Sequence, residues 1–480
     1  MGLGADRGRN PRAILPVLIF ATMVMSVIST LGTPMVPTIA REQGVSLEAA
    51  QWVLTVTLLV GAVFTPVAGR LADGPRRKQV VLATLGAVTL GSVLSASTAQ
   101  FPLFISGRAL QGFGMALVPL AIAVARDTLP RDQVRTGIAI LSITTAAGTG
   151  LGYPLTGVMA ALFDYHAGFW FAAGISLVAL ALIWAVVPGG SPHPSRPLDL
   201  PGAVLLSAAL VCLLLAISQG RTWGWESTPI LLLFAGAVVF TGLWIAHGLR
   251  VAHPLVELRL AVHPAVLVAN ATAFLMGIGL FATSSLVNRF VQAPAEAGYG
   301  FHTGLIATGL VLMPLSVGSM ASNWLSRVIT SHFGSFAVLP IGALIVAADS
   351  FFLAVSRSSL WEIVLAIAIL GLGISTTFAA IPALIVRAVP GHETGSAMSL
   401  NSVLRSVGGA IGSAASIALL SAYTPAGGHL PTNHGYTVAF LAGSVACVAA
   451  AVACLLLRPR APQDVPVERA GALRPAAAES

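Results

Sequence analysis

Charge is what this sequence has least of. Only 9% of its 480 residues are Asp, Glu, Lys or Arg, whereas a soluble domain carries about 25% to cover its water-facing surface. That shortage excludes an ordinary soluble protein. Lysine is nearly missing, with Lys78 alone against 24 arginines, a bias of composition without bearing on mechanism. Cysteine is scarce too: Cys212, Cys447 and Cys454 lie in apolar stretches with neither a pairing pattern nor metal-ligand spacing, which excludes a disulfide framework and a zinc site. The histidines, such as His193, His253 and His302, are scattered through links without nucleophile partners, so no catalytic constellation forms and an enzyme is not expected.

What is abundant is apolar sequence, 56% of the chain. It breaks into runs of roughly 20 residues, each able to cross a hydrocarbon core of about 30 Å. The runs lie near 14–40, 50–68, 79–98, 102–125, 136–162, 168–188, 200–219, 228–248, 264–291, 303–326, 335–356, 360–387, 396–421 and 436–457. The spacing predicts an all-α membrane protein of fourteen transmembrane helices. The first run exceeds the roughly 7 to 15 residues of a signal-peptide core and is taken as a span.

The net charge of +8 does not point to nucleic acid, because the basic residues sit in short links between spans rather than on one face. Their distribution reports topology. With the first residue inside, the inner links hold Arg70, Arg76, Arg77, Lys78, Arg126, Arg131 and Arg135 among others, against Arg41, Arg221, Arg289 and Arg357 outside. Both termini are therefore expected in the cytoplasm of a multi-pass protein of the cell membrane. Arg108 and Arg405 fall inside spans, where an unpaired charge costs at least about 2.5 kcal/mol.

A weak internal repeat divides the chain. Gly112 to Gly114 precede Pro130 much as Gly371 to Gly373 precede Pro390, and glycine clusters follow in each half at Gly148, Gly150 and Gly152 and at Gly408, Gly409 and Gly412. The expected plan is a cytoplasmic N-terminus (1–13), a six-helix bundle (14–188), a proline-rich link with two inserted helices (189–263), a second six-helix bundle (264–458) and a disordered cytoplasmic tail (459–480).

Three ordered motifs stand on this frame. The link after the second span reads GRLADGPRRKQVV, which resembles the loop signature of the major facilitator superfamily, with Gly69, Asp73, Arg77 and Lys78 in place and Arg76 where the family has a second glycine. The resemblance implies a latch: Asp73 at a helix end pairs across the two halves in one state and lets go in the other. The fourth span, FISGRALQGFGMA, is similar to the family's second signature through Arg108, Gln111 and Gly112. Arg108 lies roughly 9 Å deep, and its repeat equivalent is Ile367, so it is expected either to face a central cavity and couple to protons or cargo, or to be satisfied by backbone carbonyls.

The fifth span, GTGLGYPLTGVM, resembles the antiporter signature through Gly148, Gly150, Pro154 and Gly157, with Tyr153 and Val158 in place of family glycines. A Pro-kinked, small-residue helix suits the interface between the halves. In the second half, GFHTGLIATGLVLMP and NSVLRSVGGAIGSA look like stretches of the 14-helix drug exporter family. Arg405 sits about 15 Å into its span with Asn401 one turn below, either lining a cavity or anchoring the fold.

The resemblance implies a major facilitator fold and a drug:proton antiporter: a multidrug or antibiotic exporter working by alternating access. Small-molecule cargo, protons and the lipid bilayer are its partners, with no nucleic acid, no metal and no cofactor beyond the proton gradient, and a monomer as the working unit. One departure matters: where such exporters carry an aspartate in span 1 this chain has Ile28. The one acid well inside a span is Asp349, read either as a replacement proton carrier or as a residue at the outer rim. Cavity arginines without that acid suit neutral or anionic cargo. Thr30, Thr33, Gln51, Trp52, Thr55, Asn270 and Thr376 are further candidates for the path. The alternative to export is a uniporter or importer of a small nutrient or metabolite.

Overall fold

The structure, a computed structural model, describes residues 11–31, 35–189, 197–425 and 430–457. The first half comprises α1 (Pro11–Thr30), α2 (Val36–Glu42), α3 (Leu47–Ala72), α4 (Arg77–Ser97), α5 (Phe101–Gly112), α6 (Leu117–Thr128), α7 (Arg131–Leu162) and α8 (Tyr165–Val186). Two helices follow, α9 (Leu200–Trp223) and α10 (Thr228–Gly248), then the short α11 (Leu258–Ala261). The second half comprises α12 (Pro264–Val291), α13 (Leu305–Leu312), α14 (Pro314–Phe333), α15 (Val338–Val355), α16 (Leu360–Ala388), α17 (Thr394–Ala422) and α18 (Asn433–Leu456). Among the described residues everything that crosses is helical, as a bilayer demands, since backbone groups in hydrocarbon must be satisfied within their own segment.

Among the described residues, thirteen helical stretches are long and apolar enough to span. The expected run near 303–326 is the exception, because it is built from α13 and α14 joined at Met313. Pro314 has no N–H to donate and crowds the carbonyl a turn earlier. The chain tightens there: Met313 N–H bonds Leu310 O at 3.2 Å and Ser316 N–H bonds Met313 O at 2.9 Å. Serines at 316, 319, 322 and 326 then dilute the hydropathy of α14. Counting this broken run as one crossing restores fourteen. A second local tightening falls mid-span at Gly112 and Gly114, where Phe113–Ala116 winds as a 3₁₀ turn between α5 and α6.

Each half is a six-helix bundle with the same neighbours. In the first, α1 packs on α7 and α8, α4 on α5 and α8, and α3 on α5; in the second, α12 packs on α17 and α18, α15 on α16 and α18, and α14 on α16. The degenerate glycine repeat thus marks a real repetition of packing. The halves meet where α3 lies against α17 and where α7 lies against α13, α14 and α16.

The inserted pair, α9 and α10, pack on each other, and α9 also lies against both α3 and α17. The N-terminal end of α9 is stapled by Asp199, whose carboxylate accepts from His247 Nε2 (2.8 Å), Gly202 N–H (2.9 Å) and Leu255 N–H (3.1 Å). Burial alone would raise that carboxyl, but these three donors outweigh it and hold it below its ordinary range. Leucines, valines and tryptophans such as Trp170, Trp184, Leu232 and Val238 are exposed on the outer faces of α8 and α10. In a chain with this many spans that surface faces lipid.

Candidate functional site

The residue that ends α3 is Asp73, and its carboxylate reaches into the other half. It accepts N–H bonds from Gly395 at 2.6 Å and Ser396 at 3.0 Å, in the first turn of α17. Those amides are among the four that every helix start leaves without an intrahelical acceptor, and the helix dipole favours a negative charge there. The backbones come close because both contact positions are glycine. A Cβ on Gly395 would stand 2.6 Å from Gly69 O and 2.6 Å from Asp73 Oδ1.

Two more cross-links flank this one. Arg70 Nη1 bonds the Glu393 carboxylate at 3.1 and 3.2 Å, both side chains buried. Arg126 donates to Val389 O at 3.1 Å, to Pro390 O at 3.4 Å and to Thr394 Oγ1. Burial pushes the Asp73 carboxyl up to about 7, opposed by the Ser396 and Gly395 amides, with Glu393 adding to the rise and Arg77 opposing it. The group is thus poised near neutral pH.

Arg77 and Lys78 do not reach across. Arg77 donates to Ala72 O at 2.6 Å and Ala123 O at 3.0 Å and pairs with Asp127, bracing α3, α4 and α6 of its own bundle. Lys78 Nζ bonds Trp184 O at the end of α8 at 2.8 Å. Of the four expected latch residues, Gly69 and Asp73 touch the opposite half. The sequence reading missed Arg70, Arg126 and Glu393 in this role because each looked like an ordinary charge in an inner link.

Above the latch, α6, α7, α16 and α17 line a narrow, partly open cleft. Val118, Ile122, Ile381 and Met398 give it apolar walls, and Phe378, Asn401 and Arg405 line it as well. The Arg405 guanidinium lies over the Phe378 ring, 5.2 Å from its centroid, with a long bond of 3.5 Å to Ser402 Oγ. Asn401 is held by α12, donating to Ala269 O at 3.1 Å and Asn270 Oδ1 at 3.0 Å.

Arg108 turns the other way. It is fully buried inside the first bundle, where Nε donates to Val53 O at 3.1 Å, Nη1 donates to Gln111 Oε1, and the guanidinium stands 5.7 Å from the centroid of Phe169. Gln111 passes the chain on to Ser92 Oγ at 2.8 Å. The Nη2 atom is buried with no hydrogen-bond acceptor. The expected cavity-facing orientation is not the one adopted here, because the side chain leaves α5 on the face that packs against α3 and α8.

The sequence profile of the Major Facilitator Superfamily matches residues 18–413. The chain belongs to that superfamily. It is 28% identical to the tetracenomycin C resistance and export protein of Streptomyces glaucescens over 85% of this chain and 75% of that one. It is 24% identical to the methylenomycin A resistance protein of Streptomyces coelicolor over 90% of this chain and 89% of that one. Uncharacterized transporters of the superfamily from Mycobacterium tuberculosis match at 27% over 84% of this chain and are longer, the match spanning 58% of their length. The fold is also that of the human organic anion transporter MFSD10, with a TM-score of 0.60 and 18% identity over 93% of this chain and 98% of that one.

The other residues expected from the superfamily's motifs fall into distinct places. Gly148 lets α7 approach Met23 and Ser26 of α1, and Gly150 lets it approach Leu315 and Ser316 of α14, so the two glycines serve both sides of one helix. Ser316 Oγ donates to Ala147 O at 2.7 Å across this contact, about two turns before Pro154 in α7. Gly157 follows on the same helix. Thr30 is buried against α7 and bonds Val27 O, and Thr376 bonds Leu372 O, so both hydroxyls are used within their helices.

Thr55 pairs with Ser218 of the inserted α9 at 3.0 Å. Trp52 is half-buried on α3. Thr33 and the side chain of Gln51 lie outside the described residues. Asp349 is buried on α15, 1% exposed, and neither carboxylate oxygen has a hydrogen-bond partner among the described residues. Its burial does not fit a water-exposed residue.

Proposed function

We propose that the protein is a secondary active exporter, carrying a small amphipathic molecule out across the cytoplasmic membrane by alternating access and drawing its energy from the proton gradient. The observation that carries this reading is the Asp73 latch: a few polar contacts at one end hold the halves together beneath a cleft that lies between them. Contacts of this kind form and break as units, which is what a rocking two-state device needs. Export as the direction draws on the resistance and export proteins among the relatives. In this reading 14–188 and 264–458 are the rocking units, the 189–263 segment rides on the seam they share, both termini are cytoplasmic, and a monomer suffices.

Asp349 is the proposed proton carrier. It is the one acid among the described residues that lies more than a turn inside a span, where a lone ionised carboxyl is strongly disfavoured. A proton must therefore enter and leave with any change in its surroundings. Transport needs no catalytic group and no cofactor here.

The test is compound accumulation in cells stripped of their own exporters, with and without a protonophore, followed by uptake into inverted vesicles under an imposed pH gradient. Uptake that depends on the gradient and fails in Asp349→Asn supports the proposal. Equilibration of cargo without proton movement would make the protein a uniporter.

A further inference from the structure

Among the described residues the buried arginines, with one exception, each hold at least one acceptor at ordinary hydrogen-bond or ion-pair distance, although Arg70 Nε, Arg77 Nη2 and Arg108 Nη2 are left without a partner. Arg70 has Glu393, Arg77 has Asp127, Arg108 has Val53 O and Gln111, and Arg357 has Asn433 and two backbone carbonyls. Arg405 is the exception. Eleven residues into α17, roughly 16 Å from its start at 1.5 Å per residue, its guanidinium has five N–H donors to place. It makes one bond, to Ser402 Oγ at the 3.5 Å limit. The half-buried side chain lines the cleft, and no acid joins it there.

We propose that this cleft is an anion site, its cargo bearing a carboxylate, sulfonate or ionised phenol that pairs with Arg405, on a planar apolar body that lies against Phe378. The substrate class deepens the export reading and rests on it. Stacking on Phe378 at 5.2 Å holds the guanidinium plane in one orientation. That leaves its fork free to meet a planar anion with two parallel bonds, the geometry in which Arg surpasses Lys. Val118, Ile122, Ile381 and Met398 supply the apolar wall for the remainder of the cargo. A cationic drug would meet a like charge in a low-dielectric setting with no counter-ion, so the same residue excludes it.

The experiment is equilibrium binding to the full chain purified in detergent, read by the anisotropy of two planar probes: fluorescein, an anion, and ethidium, a cation. Fluorescein is expected to bind at least tenfold more tightly than ethidium. Arg405→Gln should weaken fluorescein at least tenfold and leave ethidium unchanged or better bound, and Arg405→Glu should reverse the order. Arg405→Lys keeps the charge and should lose only the part of the affinity that needs the fork, while thermal unfolding shows whether each variant is folded. Phe378→Ala, which leaves the charge in place, provides an independent variant and should weaken fluorescein several-fold.

Absence of fluorescein binding, equal affinity for the two probes, or an Arg405→Gln protein that binds like the parent would overturn the anion site. Because binding is read without a gradient, tight fluorescein binding without proton-driven uptake in vesicles would sink the export reading alone.

Discussion

Gly69 and Gly395 face one another across the two halves, so close that a methyl group on Gly395 would stand 2.6 Å from the Gly69 carbonyl oxygen. Backbone cannot yield there as a flexible side chain would. Gly395→Ala is therefore expected to wedge the inner ends of α3 and α17 apart, displacing Asp73 from the two amides and shifting the population several-fold towards the form open at that end. Distances between spin labels on the inner ends of α3 and α17 would show it. An unchanged distance distribution would mean that the contact tolerates a Cβ.

Asp73→Asn removes the charge and keeps the volume. Insertion into the membrane should be unaffected while transport falls at least tenfold, since an amide cannot give up the proton whose release favours opening. Normal transport by a well-expressed variant would end the latch argument.

The same residue predicts a pH dependence. In the closed latch its carboxyl is pushed up to about 7 from the ordinary 3.8, chiefly by burial, and it returns towards the ordinary value when opening exposes it to water. Closing therefore binds a proton between about pH 4 and 7. The closed form is most favoured below that window and loses ground as pH rises through it, since the closed state holds more protons than the open one. Spin-label distances in nanodiscs titrated from pH 5 to 8 should show the open fraction rising in the parent and flat in Asp73→Asn. Glu393, Arg77 and Arg126 stand around this carboxyl, so Glu393→Gln is expected to move the midpoint down.

Arg70 and Glu393 form a buried pair, and losing one partner leaves the other charge stranded. Thermal unfolding of Arg70→Gln, Glu393→Gln and the double variant should give a coupling energy of about 0.5 to 3 kcal/mol, the range for residues in direct contact. A coupling of zero would show that the pair is incidental to closure.

Arg108→Lys and Arg108→Ala are both expected to abolish proton-driven uptake while the protein still reaches the membrane. Lysine can replace the charge but cannot serve Val53 O and Gln111 Oε1 together from one planar group. Uptake in inverted vesicles and thermal stability in detergent separate the outcomes. If Arg108→Ala transports like the parent, coupling lies elsewhere; if it fails to accumulate in the membrane, the arginine is an internal strut.

The halves of the latch were unequally visible in the sequence. Gly69, Asp73 and Arg77 stand in one short link whose spacing is telling, but the amides that Asp73 meets lie 322 and 323 residues away and belong to main chain, which no side-chain pattern reports. Pairing Arg70 with Glu393 was equally out of reach, because charges in inner links look alike until a fold brings two of them together. Hydropathy alone did not show that the fourth crossing tightens at Phe113–Ala116, and the broken crossing at Met313 turned on a proline that a run of apolar residues conceals.

What the sequence determined by itself is the membrane and the all-helical build of its crossings, since a stretch of apolar residues in lipid has to be a helix that satisfies its own backbone. What only the tertiary structure decided is the fate of the two intramembrane arginines. From the sequence each could either line a cavity or serve as an internal anchor, since both lie well inside signature helices. Which way each points depends on the rotation of its helix against its neighbours: α5 turns Arg108 onto Val53 and Phe169 inside one bundle, whereas α17 turns Arg405 and Phe378 of α16 together into the cleft between the two.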